Sequence, residues 1–132
     1  MTLMVPVQPE EAEAIFAGRL TYIFRSTKPQ NREGNDRLLL YIPCPAKSIV
    51  GEVRIISTLS RYPDAEIIWH AVKDKVDITE EEFYRFSGLA RRSGPVTKRV
   101  IAIKIGYPTR YDEPKPVEYS GGPWGRYTEG IA

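Results

Sequence analysis

The sequence predicts an α+β protein that is mainly β: a small, partly closed mixed β-barrel with about three short helices packed at its openings. Three observations predict this class. Several runs rich in β-branched and aromatic residues are typical of strands. These runs cluster together instead of alternating with helices, which argues against a doubly wound parallel sheet. The chain has 132 residues, 42% hydrophobic and 27% charged, which suits one domain with one core.

A strand at residues 3–7 and a helix at 9–17 open the predicted order. Pro6 inside the strand indicates an edge or a bulge. Pro9 suits the first helical position, where a missing N–H costs nothing. Acidic residues in the first turns complement the positive helix end, and the apolar residues at helical spacing predict one buried face: Ala12, Ile15 and Phe16.

A strand at 20–26 follows the helix directly, because Gly18 suits a left-handed helix cap. A polar loop is predicted at 27–36. The continuous apolar run at 38–42 is typical of a strand buried on both faces. Another strand is predicted at 48–57, where Gly51 indicates a bulge or a close backbone approach.

Two helices are predicted in the middle of the chain. The first begins near Pro63, and its apolar face would comprise Ile67, Ile68, Ala71 and Val72. Thr79 and Glu82 form a capping box that starts the second helix, which would bury Phe83 and Phe86. A last strand is predicted at 97–106, where isoleucines alternate, and the proline-rich segment 107–119 is predicted to be extended.

Composition excludes several classes of protein. No apolar run approaches the roughly 18 residues of a membrane span, and the chain does not start with a signal-peptide pattern. The single Cys44, between two prolines, excludes an internal disulfide and is interpreted as structural. These features predict a cytoplasmic protein without membrane association. No phosphate-binding glycine loop, catalytic triad or metal-ligand spacing occurs, and the lone His70 is interpreted as packed or exposed, so no cofactor, metal or catalytic residue is predicted.

Positive charge is concentrated in two stretches, although the net charge is only +2. Residues 19–54 carry seven basic and three acidic side chains. Residues 91–110 carry six basic side chains and no acidic one. If both stretches share one sheet, one face is positive; the alternative is an ordinary solvated surface of mixed charge.

The pattern resembles the ASCH domain of the PUA-like superfamily of small β-barrels, and also a related group of archaeal PUA-like proteins. The resemblance covers residues 4–118 and includes the helix ending at Gly18, the strand to Arg25 and the two strands after it. The defining motif of the ASCH domain is G-x-K-x-x-E-x-R. Gly18 and Arg25 match its ends, whereas Leu20 and Ile23 occupy the lysine and glutamate positions.

The resemblance implies a cleft beside the junction of helix 9–17 and strand 20–26 that receives RNA or a nucleotide-like ligand. Some ASCH members are amidohydrolases acting on acylated cytidine, with a reactive lysine and a nearby hydroxyl at the positions of Leu20 and Ile23. Neither side chain can act as base or nucleophile. The sequence therefore predicts a noncatalytic domain that binds RNA, or a modified nucleoside within it. Two alternatives stay open: a nucleoside hydrolase using Thr21 or Glu52, and a protein-interaction module.

Cationic side chains are expected to anchor phosphates, and aromatic side chains to stack on a base. The strongest expectation is that Arg19, Arg25 and Arg54 converge on one open groove. Arg25 has an alternative role in an ion pair with Glu52. The two candidate tyrosines, Tyr22 and Tyr41, have an alternative role in the core. The candidate ligand-binding residues are Gly18, Arg19, Thr21, Tyr22, Arg25, Arg37, Tyr41, Arg54, Arg91, Arg92 and Lys98.

The predicted domain spans residues 1–118, and residues 119–132 are predicted to form a glycine-rich mobile tail. Trp124, Arg126 and Tyr127 in this tail are interpreted as a stacking element; the alternatives are a tag-like end or a tryptophan folded onto the barrel. The sequence is compatible with a monomer or with a homodimer formed through a strand edge.

Overall fold

A computed structural model of the protein describes residues 2–25, 36–59, 65–87, 100–119 and 124–127. In chain order its strands and helices are β1 (Thr2–Pro6), α1 (Pro9–Phe16), β2 (Tyr22–Arg25), β3 (Arg37–Ile42), β4 (Ser48–Leu59), α2 (Ala65–Val72), a 3₁₀ helix (Lys73–Lys75), α3 (Glu80–Phe86), β5 (Ile101–Pro116) and β6 (Gly125–Tyr127).

The strands form one strongly curled mixed sheet with the order β2-β5-β4-β3-β1-β6. Strands β1 and β3 are parallel, whereas the other neighbours are antiparallel. The fold class predicted from the sequence, a small mixed barrel with three short helices, is confirmed. Curling brings β2, at one end of the strand order, close enough to β1, next to the other end, for one side chain to bridge them, as described below.

Helix α1 begins and ends as its sequence predicts. Pro9 occupies the first turn, and Gly18 follows the last turn with φ +79°, a left-handed conformation that glycine adopts without steric cost. The helix buries Ala12, Ala14 and Ile15, and also Glu11, a charged residue that is only 1% exposed. The helix therefore brings a buried carboxylate to the edge of the barrel.

Helix α3 has the predicted capping box. The Thr79 Oγ1 accepts from the Glu82 amide at 3.1 Å, and the Thr79 amide donates to Glu82 Oε1 at 3.0 Å. Phe83 and Phe86 are buried, and the Phe83 ring packs edge-on against Phe24 of β2. The aromatic contact fixes α3 beside the end of β2.

The register between β4 and β5 shifts three times. Near the middle, Arg54 pairs with Gly106 while Glu52 pairs with Thr109, so β5 contains one extra residue there. That bulge gives Tyr107 a φ of +53° and leaves 78% of the residue exposed. Bulges redirect side chains and increase local twist, and here the bulge turns an aromatic ring into solvent.

Four features differ from the sequence prediction. Pro6 ends a strand that lies between β3 and β6 instead of at an edge. Helix α2 buries Ala65, Ile68, Trp69 and Val72, whereas Ile67 is 45% exposed. Strand β5 continues to Pro116, well past the predicted end at 106. Within the predicted tail, β6 pairs with β1. None of the helices in the described ranges is long and apolar enough to cross a membrane.

Candidate functional site

The predicted arginines do not share one groove. Arg54 pairs with Asp36 at 2.7 Å, and both side chains are about half exposed. Arg37 forms a two-pronged pair with Glu52, at 2.9 Å for each contact, and donates to the Tyr111 hydroxyl at 3.2 Å. Neither arginine lines either of the two pockets described below. The expectation that Arg19, Arg25 and Arg54 converge is therefore wrong.

Arg25 connects four elements at the end of β2. Its Nη1 and Nη2 atoms each lie 3.1 Å from an oxygen of Glu11 in α1. The same two nitrogens donate to the carbonyls of Pro6 in β1 and Phe86 in α3, at 2.8 and 3.1 Å, and to the carbonyl of Phe24. We call Arg25 and Glu11 with these carbonyls the clamp. Glu52, the alternative partner considered for Arg25, instead binds Arg37.

Tyr22 and Tyr41 belong to the core. Tyr22 is 3% exposed and stacks with Phe24, and Tyr41 is 4% exposed and stacks with Tyr119. Both rings thus pack in the core, which was the alternative to stacking on a base, and neither ring offers a face to a ligand. The remaining predicted cations, Arg91, Arg92 and Lys98, lie outside the described residues.

Three of the predicted residues do lie together, where α1 joins β2. Gly18 is exposed, and the Arg19 guanidinium donates to the Asp77 carbonyl at 3.3 Å. The Asp77 amide in turn donates to the Arg19 carbonyl at 2.7 Å. The Thr21 hydroxyl donates to the carbonyl of Lys75 at 3.2 Å. These bonds attach the end of the 3₁₀ helix and the residue Asp77 after it to the segment that leads into β2.

A small apolar pocket of about 70 Å³ lies at this junction. Its lining includes Gly18 and Thr21 on one side and Gly106 and Pro108 on the other. Tyr107, between the last two in sequence, does not line the pocket and is 78% exposed. We call this surface the junction rim and define it by Gly18, Arg19, Thr21, Lys75, Lys104 and Tyr107.

Charge at the junction rim is mainly positive. Lys75 and Lys104 are exposed, and Lys104 pairs with Tyr22 in the sheet, one residue from Thr21. The Arg19 side chain contacts a carbonyl oxygen in place of a carboxylate, so its charge is not neutralised by that contact. The exposed Asp74 and Asp77 offset part of this charge.

Sequence reasoning missed Tyr107, Lys75 and Lys104. The signal for Tyr107 is its position between Gly106 and Pro108, which interrupts an otherwise regular strand. Lys104 belongs to the basic stretch 91–110, whereas Lys75 carries no local signal, because only the tertiary fold brings the 3₁₀ helix next to the start of β2.

The hydrolase alternative finds little support in the geometry. Leu20 and Ile23, at the lysine and glutamate positions of the ASCH motif, are buried and apolar. Glu52 accepts hydrogen bonds from Arg37, which hold the pKa of its carboxyl below the usual 4.5 and make it a weak base. Burial, and then the hydrogen bond to Glu52, raise the pKa of the Tyr111 phenol.

A larger cavity, of about 350 Å³, lies at the other end of β2. The described residues that line it come from the end of β1, the start of α1, the end of α3 and the turn after β3. The clamp residues Arg25 and Glu11 form its polar part, and Cys44 and Ser87 also line it. It is separate from the junction rim, which shares no residue with it.

Solved structures provide the comparison that identifies the fold. The chain is similar to ASCH from Zymomonas mobilis, with a TM-score of 0.71, 18% identity, and coverage of 97% of this chain and 88% of that one. A serine-to-alanine variant of that protein matches with a TM-score of 0.73 and 17% identity over 97% and 89% of the two chains. No protein-family model and no curated protein sequence matches significantly.

The chain therefore shares the small, curled barrel fold of these structures. More particularly, this is the fold of the ASCH domain, so the resemblance inferred from Gly18, Arg25 and the order of elements is confirmed at the level of fold.

Proposed function

We propose that this protein binds single-stranded RNA, or a modified nucleoside within it, without catalysis, and that the junction rim is the contact surface. The observation that carries the proposal is Tyr107, an aromatic side chain that is 78% exposed and held at φ +53°. For a bulky residue this conformation costs about 1–3 kcal/mol, and such strain clusters at functional positions.

An exposed tyrosine face suits a nucleobase. Single-stranded RNA offers unstacked bases, and stacking one of them on an aromatic side chain is worth about 1–3 kcal/mol. The neighbouring pocket is lined by apolar and small residues, including Pro108 and Gly106. A base that stacks on Tyr107 therefore has an apolar surface beside it.

The cations of the junction rim suit the phosphates next to such a base. Arg19 and Lys75 are neighbours of Thr21, which lines the pocket, in sequence and through a hydrogen bond respectively, and Lys104 lies three residues before Tyr107 in β5. Binding through these side chains releases counterions, so the affinity falls with salt, with a slope of roughly −0.7 per phosphate contact on a single strand. Arg91, Arg92 and Lys98 are proposed as further phosphate contacts.

Fluorescence anisotropy with labelled single-stranded RNA tests the proposal. Tyr107→Ala is expected to weaken binding about 5- to 150-fold, which corresponds to the loss of one stacked base. Tyr107→Phe keeps the aromatic face and should bind like the wild type. Ile67→Ala removes another exposed apolar side chain, on α2, and serves as the matched control.

Lys104→Ala should weaken binding and make the salt slope shallower, whereas Tyr107→Ala should leave that slope unchanged, because a stacked base releases no counterion. Absence of binding at low salt, or wild-type binding by Tyr107→Ala, contradicts the proposal. Turnover of an acylated nucleoside would favour the hydrolase alternative instead.

A further inference from the structure

Arg110 connects the outer half of β5 to helix α1. Its Nη1 and Nη2 atoms each donate to one carboxylate oxygen of Glu13, at 2.8 Å in both cases. The guanidinium also lies over the Phe16 ring, with its Cζ atom 4.5 Å from the ring centroid. The Phe16 ring packs closely on Gly51 of β4, which pairs with Arg110 in the sheet. We call Glu13, Phe16 and Arg110 the α1–β5 bridge.

The α1–β5 bridge joins the two chain segments that form the walls of the junction-rim pocket. One wall contains Ile15 and Gly18, and Phe16 lies between them in sequence. The other wall contains Pro108, and Arg110 follows it two residues later. A contact between Phe16 and Arg110 therefore constrains how far apart the two walls lie.

The sheet attaches this part of β5 on one side only. Pairing of β5 with β2 ends at Lys104, and the next amide, that of Ile105, donates to the Thr21 carbonyl at 3.0 Å. In the described sheet, β5 from Gly106 onward pairs with β4 alone, through the bulge at Tyr107. A bulge disrupts the ladder locally, so the position of Tyr107 relative to α1 depends on the α1–β5 bridge.

The Arg110 guanidinium is occupied in a way that suits a spacer better than a phosphate ligand. Both of its terminal nitrogens donate to Glu13, and its face lies on Phe16. The hydrogen bonds from Arg110 lower the pKa of the Glu13 carboxyl, so both partners are charged at neutral pH. The side chains of Arg110 and Glu13 are 53% and 63% exposed, and exposed ion pairs contribute little to the stability of a fold.

We propose that Arg110 is a positioning residue for RNA binding, which holds the two walls of the junction-rim pocket at the separation that accepts a base. The inference rests on the proposed function of the junction rim and goes beyond it, because Arg110 acts through Glu13 and Phe16 and touches no RNA. A site that is already ordered binds more tightly, since less ordering accompanies binding. The gain in affinity cannot exceed the free energy of the contact that orders the site.

Glu13→Gln gives the sharpest test, by fluorescence anisotropy with labelled single-stranded RNA. It weakens the ion pair and leaves Arg110 in place, so the affinity should fall about threefold to fivefold, the limit for one exposed pair. If Arg110 contacted a phosphate instead, Glu13→Gln would free its guanidinium and strengthen binding. Lys115→Ala is the matched control, because Lys115 is another exposed cation of β5 that lies over a ring, that of Tyr111; it should bind like the wild type.

Arg110→Ala should weaken binding about tenfold, because it also removes the contact with Phe16. The salt slope should stay that of the wild type, since no phosphate contact is lost. The double variant with Glu13→Gln should bind no more weakly than Arg110→Ala alone, because both changes break one interaction. The thermal unfolding midpoints should stay within about 5 °C of the wild type.

Hydrogen exchange of the free protein provides a measurement that does not need RNA. Glu13→Gln should accelerate exchange of the amides at 106–109, and Lys115→Ala should not. Unchanged exchange at these amides would overturn the inference.

The binding data separate this inference from the proposed function. Absence of wild-type binding at low salt overturns both. Wild-type binding together with equal or tighter binding by Glu13→Gln overturns the positioning role alone, and a shallower salt slope in Arg110→Ala then makes Arg110 a phosphate contact.

Discussion

The two ends of β2 use arginine in opposite ways. At the clamp, Arg25 is almost buried and binds Glu11 and three backbone carbonyls, so its charge holds the barrel together. At the junction rim, Arg19 contacts one carbonyl oxygen and Tyr107 is exposed under backbone strain. The arginine that matches the ASCH motif thus binds other parts of the fold, and the surface that we propose for RNA lies a few residues away.

The largest expected effect is a loss of stability at the clamp, which we compare with the loss at an exposed ion pair. Glu11→Gln should lower the free energy of unfolding by about 3–5 kcal/mol, because it leaves the Arg25 charge buried without its partner. Arg54→Ala, which breaks an exposed pair with Asp36, should cost at most about 1 kcal/mol. Urea denaturation followed by circular dichroism measures both, and equal losses would mean that the clamp is not a structural centre.

Local features of this chain were predictable, and nonlocal partners were not. The start of α1 at Pro9, its cap at Gly18 and the Thr79 capping box depend on residues within one or two turns. The pairing of Arg25 with Glu11 depends on how α1 folds back on the barrel. The interaction of acidic side chains with the helix dipole already explains the glutamates in the first turn of α1. The sequence therefore contained no sign that one of them, Glu11, is buried.

Strand β5 shows the same limit. Its alternating isoleucines predicted a strand, but the prolines after Tyr107 predicted only extended chain. The structure accommodates them because β5 pairs with β4 through bulges in this part, and proline is tolerated at bulges and edges. The exposed position of Tyr107 follows from that bulge, which Gly106 and Pro108 indicate only as an interruption of the strand.

Substitution of Gly51, where two parts of the chain approach closely, is expected to destabilise the fold by an intermediate amount. A Cβ at Gly51 would meet the Thr109 carbonyl and the Phe16 ring. Gly51→Ala should therefore destabilise the fold by about 1–3 kcal/mol through overpacking. Gly18→Ala meets no atom within 4 Å and suffers only from its φ of +79°, at about 1 kcal/mol. Thermal unfolding of the two variants, compared with the wild type, checks this order.

Relief of strain at the junction rim should stabilise the protein and impair binding. Tyr107→Gly removes the cost of φ +53°, so we expect a gain of about 1 kcal/mol in the free energy of unfolding. The same change removes the aromatic face, so the affinity for single-stranded RNA should fall. A variant that loses stability while it keeps affinity would show that Tyr107 packs and does not bind.

The smallest expected effect concerns pH. Because hydrogen bonds from Arg37 lower the pKa of Glu52 in the folded state, the ionised carboxylate stabilises the fold. That contribution is complete above the unfolded value of 4.5 and is lost as the pH falls through the lower folded pKa. Glu52→Gln should flatten the decrease in stability below pH 4.5, as measured by urea titration at several pH values; an unchanged pH profile would contradict the pair.

The most direct test of the contrast between the two ends of β2 is a map of amide chemical shifts during titration with a short single-stranded RNA. We predict that the shifts concentrate at residues 18–21, 75–77 and 104–109 and that Tyr107→Ala suppresses them. An RNA-induced pattern confined to the outer faces of β3 and β4, or no shift at low salt, would contradict the assignment of the junction rim as the binding surface.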